Sequence, residues 1–384
     1  MNFFDTNKKE DCNGCGVCAL KCPKKAISMK VDEEGFAYPT VDKNKCVNCN
    51  VCRDCCPNHE HNRESICESY VSINNNKDEL RSSSSGGMFI LLAKYVLAKK
   101  GIVFGVKYDE ELKVKHDYID NVSDIKKFQG SKYVRSEIGD SYCKVKEFLE
   151  NDRYVLFTGT PCQCMGLRVY LGQEYEKLII CDIICHSNPS PKIFEIYKES
   201  IERKHNKEVN NILFRTKKIG WYSTESIVIF NDGTEIKESS FYKAFLSELL
   251  NRPSCHNCYF CSTNRFADFT IGDMWGIKEI DASIKDDNTG ISLLCVNTDN
   301  AKRVFEEIKE KMYIKKIDIN EAFKYNHHDN EKKNFNREKF FKKVANGKIN
   351  QNNMIENLQK YSKNPLIIRI IRKAKRTIKK MITN

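Results

Sequence analysis

From Met88 to Val106 the chain reads MFILLAKYVLAKKGIVFGV, with apolar residues at helical spacing as far as Lys99 and Lys100 and then a short apolar run. The spacing predicts an amphipathic helix followed by a strand over GIVFGV. Lys94, Lys99 and Lys100 interrupt the stretch too often for a membrane span. Two further apolar runs have the length of buried strands. VLFTG, from Val155, enters a Gly-Thr-Pro turn and then Cys162; LIICDII, from Leu178, ends at Cys185 and a polar, proline-containing loop. Loops after buried strands are where α/β proteins place ligands. AISMKVDEEGFAYPTVD, from Ala26, reads as two short strands and a turn. In NPLIIRIIRKAKRTIKKMITN, Asn364 can cap a helix and Pro365 suits its first position. Ile367, Ile371, Ala374, Ile378 and Met381 then share one face, with lysines and arginines over much of the rest.

Cysteine changes the picture most. The chain has 384 residues, enough for two or three domains, and 19 of them are cysteines. MNFFDTNKKEDC shows no secretory leader, so a disulfide scaffold is not expected and metal or redox chemistry is. CNGCGVCALKCP (Cys12 to Pro23) and CVNCNVCRDCCP (Cys46 to Pro57) both read C-x2-C-x2-C-x3-C-P, the bacterial ferredoxin run for four-iron clusters. In that arrangement three close cysteines hold one cluster and the fourth reaches the other. Cys12, Cys15, Cys18 and Cys56 are thus assigned to one cluster, and Cys46, Cys49, Cys52 and Cys22 to the second. Gly14 and Gly16 let the backbone bend around the first. Paired zinc sites are the competing reading; zinc prefers separate CxxC units. Cys55 is out of register and reads as a spare thiol. The formal charge of +12 is concentrated toward the last residues, and no nucleic-acid-binding signature accompanies it.

Three motifs follow the combs. RSSSSGGMFILL, from Arg81, sets serines and glycines before a helix, which suits a phosphate or a capped, flexible linker. The two strand-end cysteines, Cys162 and Cys185, could be brought together by parallel strands, whereas Cys181 reads as a buried structural thiol. RPSCHNCYFC, from Arg252, supplies Cys255, Cys258 and Cys261 as a shorter comb, for a third cluster or for zinc. Of the histidines, His186 beside Cys185 is the one expected in a site; His59, His61, His205, His256, His327 and His328 read as surface or structural.

SSSGG, GSKYV (Gly130 to Val134), FTGTPCQ, ICH followed by PSP, FRTKKIGW (Phe214 to Trp221) and CxxC followed by ADFTIGDMWG occur in that order. This series resembles the family of beta subunits of coenzyme F420 hydrogenases and dehydrogenases, in its members with an N-terminal two-cluster ferredoxin domain. The resemblance runs from Cys12 to about residue 320. It implies a flavoprotein with FAD and a further four-iron cluster. Carried over, Ser84, Ser85, Gly86 and Gly87 would hold the FAD phosphates. Gly130, Ser131, Lys132, Tyr133, Gly159, Thr160 and Pro161 would line the flavin. Cys162, Cys185, Cys255 and Cys258 would hold the third cluster. Lys132 and His186 are the candidate catalytic residues; a lysine suits a phosphate or a flavin's developing negative charge. Ser187 and Asn188 depart from the family pattern, and Cys164, Cys181 and Cys261 are additional.

The expected fold class is α+β: a bacterial-type two-cluster 4Fe-4S ferredoxin domain (1–62), an α/β flavin-binding body in two parts (63–150 and 151–325), and a charged tail (326–384) with an amphipathic basic helix. The expected function is an iron–sulfur flavoprotein oxidoreductase joining a two-electron organic partner, the deazaflavin or a similar molecule, to a one-electron carrier such as a ferredoxin or a partner redox subunit. The alternative is a non-catalytic electron relay, accessory to polysaccharide synthesis as the genomic setting of some relatives implies. No nucleic-acid partner is expected. The expected location is cytoplasmic, with the basic helix suited to peripheral contact at the inner face of the membrane.

Overall fold

A computed structural model of the chain describes residues 3–58 and 67–363. The first comb region carries a hairpin of β1 (Ile27–Val31) and β2 (Ala37–Val41), antiparallel as the sequence pattern predicts. The two combs share their backbone form. Gly14 and Gly16 have φ of 65° and 80°, and Asn48 and Asn50, at the same comb positions, have φ of 54° and 60°. Asparagine is among the few residues that tolerate this left-handed conformation.

The body is built on an eight-stranded mixed sheet. Its strands are β3 (Glu68–Asn74), β4 (Ile102–Tyr108), β5 (Val114–Ile119), β6 (Val155–Gly159), β7 (Leu178–Ile183), β11 (Phe269–Asp273), β12 (Ser292–Val296) and β13 (Met312–Ile317), in the order β13-β3-β12-β11-β7-β6-β4-β5. The centre, β4, β6, β7 and β11, is parallel. The strands predicted from GIVFGV, VLFTG and LIICDI are β4, β6 and β7. α1 (Met88–Ala98) covers one face; it is buried over more of its circumference than an amphipathic surface helix, because α6 (Asp299–Ile308) closes over the same core. α2 (Ser141–Glu150) and α3 (Pro161–Leu171) cover the opposite face. Because β3, β4 and β5 pair within the same sheet as β6 to β13, the expected division at 150/151 falls inside one structural unit.

A second layer joins a small sheet of β8 (Val209–Leu213), β9 (Ile227–Phe230) and β10 (Glu235–Lys237) to α4 (Pro191–His205) and α5 (Ser240–Leu246). α7 (Arg337–Ala345) and α8 (Met354–Tyr361) pack into this core through Phe340, Phe341, Val344, Met354 and Leu358. Residues 337–361, expected to open a charged tail, are therefore part of the body. Their charge lies on outer faces, while the aromatic and aliphatic positions recur at helical spacing. The basic helix read from Asn364 onward lies outside the described residues. Among those described, no helix is long and apolar enough to cross a membrane.

Candidate functional site

The carboxyl ends of β4, β6, β7 and β11 converge on a cavity of about 370 Å³. This is the ligand position of open α/β sheets. Three loops and one helix start form its walls. The serine-glycine turn enters α1 at Gly87, whose φ of 89° favours glycine. Ser84 Oγ accepts from Ser131 N–H at 3.1 Å, tying this turn to the 130–134 loop. Lys217 holds the same turn from behind, donating to the carbonyls of Leu80 and Ser85 at 2.5 and 2.6 Å. Gly86 points away from the cavity: its N–H donates to Ser292 Oγ at 2.8 Å, and a Cβ there would stand 2.5 Å from the Ser72 carbonyl. It serves close packing of the turn on the sheet, while Ser84, Ser85 and Gly87 face the cavity.

Gly130, Ser131, Lys132 and Tyr133 line the opposite wall, with Gly159 and Thr160 at its base. Pro161 is buried outside the cavity lining, as the first residue of α3. Lys132 Nζ donates to the carbonyl of Gln129 at 2.9 Å and has no carboxylate partner among the described residues. Burial pulls its pKa down to about 8. It also borders a second cavity of about 390 Å³ beside Tyr108 and Arg215. Tyr133 stacks on Tyr242 at 4.8 Å, and Phe245 closes the aromatic wall. Arg215, ion-paired with Asp273, lies 5.1 Å over the Trp275 ring. These residues of FRTKKIGW thus support the cavity, although their sequence pattern specifies no contact.

His186 lies in the cavity wall with Nε2 2.5 Å from Glu248 Oε1 and Nδ1 2.6 Å from His327 Nε2. His327, expected at the surface, is a cavity residue whose pKa burial lowers to about 3. His256 is also inside, its Nδ1 contacting the Glu331 carbonyl at 3.1 Å. Neither has a spacing signal, because residues 326–331 reach the site by tertiary packing alone. His59 and His61 lie outside the described residues.

Cys162 and Cys185, at the ends of β6 and β7, come together with Cys255 and Cys258: burial raises the thiol pKa of Cys185, Cys255 and Cys258, and each feels neighbouring thiols of the set. Cys185 also lines the cavity, so the thiol set and cavity share a wall. Cys261 stands to one side, facing Arg265, Asp329 and Glu331; burial raises its pKa to about 11. Among the described residues no three His, Cys, Asp or Glu side chains are grouped around a single metal ion. In the first comb Cys15, raised to about 12 by burial, neighbours Cys12, Cys56 and also Cys162. Cys52 neighbours Cys46 and Cys49. Cys22 Sγ accepts from Ala26 N–H at 3.3 Å. Buried Cys55 packs with Val17 and Leu167 as an apolar residue.

Two buried arginines test whether clusters fit. Arg135 donates to Cys162 Sγ at 3.4 Å and to the Gly14 carbonyl at 3.0 Å. Arg252 donates to the Cys12 carbonyl at 2.7 Å and approaches Cys12 Sγ at 3.6 Å. Neither forms an ion pair with a carboxylate among the described residues. A buried guanidinium without a counter-charge is costly, and thiolates holding iron would supply that charge.

A hydrogen-bond chain fixes the loops around Arg135 and Cys162. Gln163 Nε2 donates to Ser136 Oγ at 3.0 Å, Ser136 Oγ donates to His116 Nδ1 at 3.1 Å, and His116 Nε2 donates to the Thr158 carbonyl at 3.1 Å. Burial depresses the His116 pKa to about 4. The unfolded chain then binds more protons between about pH 6.5 and 4, so stability falls as pH drops through that window. Relative to about pH 7.5, this group should cost about 1 kcal/mol at about pH 5.5. His116→Gln should remove that part of the pH dependence; parallel melting curves for the two proteins at both pH values would contradict the assignment.

Two ferredoxin combs and a third thiol set against a ligand cavity define an iron–sulfur oxidoreductase. Residues 11–59 match the 4Fe-4S dicluster domain, and residues 152–322 match the family described as Coenzyme F420 hydrogenase/dehydrogenase, C terminus of the beta subunit; the chain belongs to the family of beta subunits of these hydrogenases and dehydrogenases. It is 21% identical over 326 residues to the F subunit of the F(420)H(2) dehydrogenase of Methanosarcina mazei, covering 79% of this chain and 84% of that protein. A local match of 63 residues, 35% identical, links it to the trichloroethene reductive dehalogenase of Dehalococcoides mccartyi, over 14% of this chain and 11% of that one. The F420-reducing NiFe hydrogenase complex of Methanosarcina barkeri, solved as a xenon derivative, contains a chain that is 17% identical with a TM-score of 0.42, covering 77% of this chain and 89% of that one.

Proposed function

We propose that the cavity binds FAD and a two-electron organic partner, deazaflavin coenzyme F420 or a similar molecule, and that electrons leave singly through a cluster on Cys162, Cys185, Cys255 and Cys258 to the two ferredoxin clusters. The supporting observation is the shared wall: Cys185 belongs both to the cavity and to the thiol set. FAD supplies the conversion between paired and single electrons. Ser84, Ser85 and the N–H groups at the start of α1 suit its phosphates. Tyr133, Tyr242 and Phe245 offer an apolar, aromatic wall that excludes water from a ring system. Lys132 places a donor in the same wall, and its lowered pKa lets it release or hold a proton near neutrality. His186, fixed between Glu248 and His327, is the second group able to orient or protonate a ligand. A one-electron partner protein, a ferredoxin or a redox subunit, would dock near the second comb, whose Cys49 is exposed.

Iron, sulfide and flavin analysis after anaerobic purification tests this reading. About twelve irons and one FAD per chain are expected, for three four-iron clusters. About eight irons with no flavin, even after incubation with FAD, would leave an electron relay. Lys132→Ala should lower flavin content or turnover with the deazaflavin; normal values of both would remove Lys132 from the site.

A further inference from the structure

The contact between the ferredoxin combs and the body runs through guanidinium groups. Arg135 follows the GSKYV loop and is anchored by its own N–H to the Pro189 carbonyl at 3.1 Å. Its Nη1 reaches Cys162 Sγ and its Nη2 reaches the Gly14 carbonyl, between the first two cysteines of comb one. The neighbours that hold its charge are thiols, Cys162 first and then Cys255. Arg252 makes a parallel link: its backbone carbonyl accepts from Cys255 N–H at 3.0 Å, and its side chain grips Cys12 and the Ala37 carbonyl. A Cβ at Gly14 would lie 2.8 Å from Arg252 Nη1, so comb one fits this seat only with glycine there.

We propose that Arg135 is a positioning residue for electron transfer between the strand-end cluster and the first ferredoxin cluster, holding the two at a fixed edge and raising the reduction potential of the cluster bound by Cys162. The inference rests on the third-cluster reading above. Reduction adds one electron, and no proton, to a group already ringed by thiolates. A fixed positive charge beside one thiolate stabilises the reduced form more than the oxidised form, and burial strengthens the effect. The hydrogen bond to Cys162 Sγ acts in the same direction. When that electron passes on to the first comb, the same guanidinium faces both donor and acceptor, so neither state leaves it without a counter-charge.

The test is a potentiometric titration of the full, cluster-loaded chain, followed by electron paramagnetic resonance, with iron content and melting temperature measured alongside. Arg135→Gln keeps donor groups but loses the charge. One cluster should become harder to reduce, its reduced-to-oxidised ratio at a fixed potential falling roughly tenfold, about 59 mV for one electron. Arg135→Lys keeps the charge and should restore most of that ratio. With about twelve irons present, unshifted potentials in Arg135→Gln, or equal shifts in both variants, would overturn the proposal and leave the third cluster standing. If Arg135→Gln does not assemble, Arg135→Lys against the parent decides: a small shift to lower potential supports it, and none overturns it. About eight irons in the parent protein would sink this proposal and the third-cluster reading together.

Discussion

Cys185→Ser is expected to lower iron from about twelve to about eight atoms per chain while leaving flavin bound. Cys185 closes β7 and faces both the cavity and the neighbouring thiols of Cys255, Cys162 and Cys258. Serine fills nearly the same space but holds iron poorly. The two ferredoxin clusters should therefore persist, and reduction of the flavin by its organic partner should survive, whereas reduction of the ferredoxin clusters through the flavin should be lost. Iron and sulfide analysis with rapid-mixing absorbance of flavin and clusters reads both halves. Cys261→Ser is the control: its thiol faces Arg265, Asp329 and Glu331, and it should retain full iron. Loss of iron in Cys261→Ser, with none in Cys185→Ser, would move the fourth ligand to Cys261.

Arg337→Met should destabilise the protein by about 3 to 5 kcal/mol, the range for removing one partner of a buried ion pair. The guanidinium of Arg337, at the start of α7, meets Glu34 with two contacts, at 3.1 and 2.5 Å, and donates to the Asn251 carbonyl at 2.9 Å. The arginine side chain is only 4% exposed and the glutamate 15%. Glu34 sits in the turn between β1 and β2, so this pair clamps the ferredoxin hairpin to the C-terminal helices. Lys192 adds a bond to the Glu33 carbonyl at 2.9 Å, and Gly35 lies so close to Lys192 that an added Cβ would stand 2.4 Å from its side chain. Chemical unfolding of the two proteins gives the difference. Adding Glu34→Gln should recover part of it, because the stranded charge is then gone. A loss below about 1 kcal/mol would class the pair with surface ion pairs.

The combs were legible because a cluster's ligands come from short loops of set spacing, and short loops are a local property. The left-handed turns at Gly14, Gly16, Asn48 and Asn50 follow from the same residues. Strands β4, β6 and β7 were legible as apolar runs of strand length, and the strand-end cysteines marked where a parallel sheet gathers its loops. The family motifs located the serine-glycine turn and the 130–134 loop.

Other features depend on partners far apart in the chain. Gly86 looked like a phosphate contact and proved to be a packing glycine, because Ser72 and Ser292 lie across the sheet from it. His327 carried no spacing signal and reaches His186 across 141 residues. Residues 337–361 looked like the start of a charged tail, yet their aromatic positions complete the core around α4 and α5. Sequence alone determined the chemistry of the combs, since ligand type and loop length suffice for it. Only the tertiary structure decided how that chemistry connects to the cavity: single arginines, Arg135, Arg252 and Arg337, join distant segments, and one side chain has no periodicity by which its partner could be read.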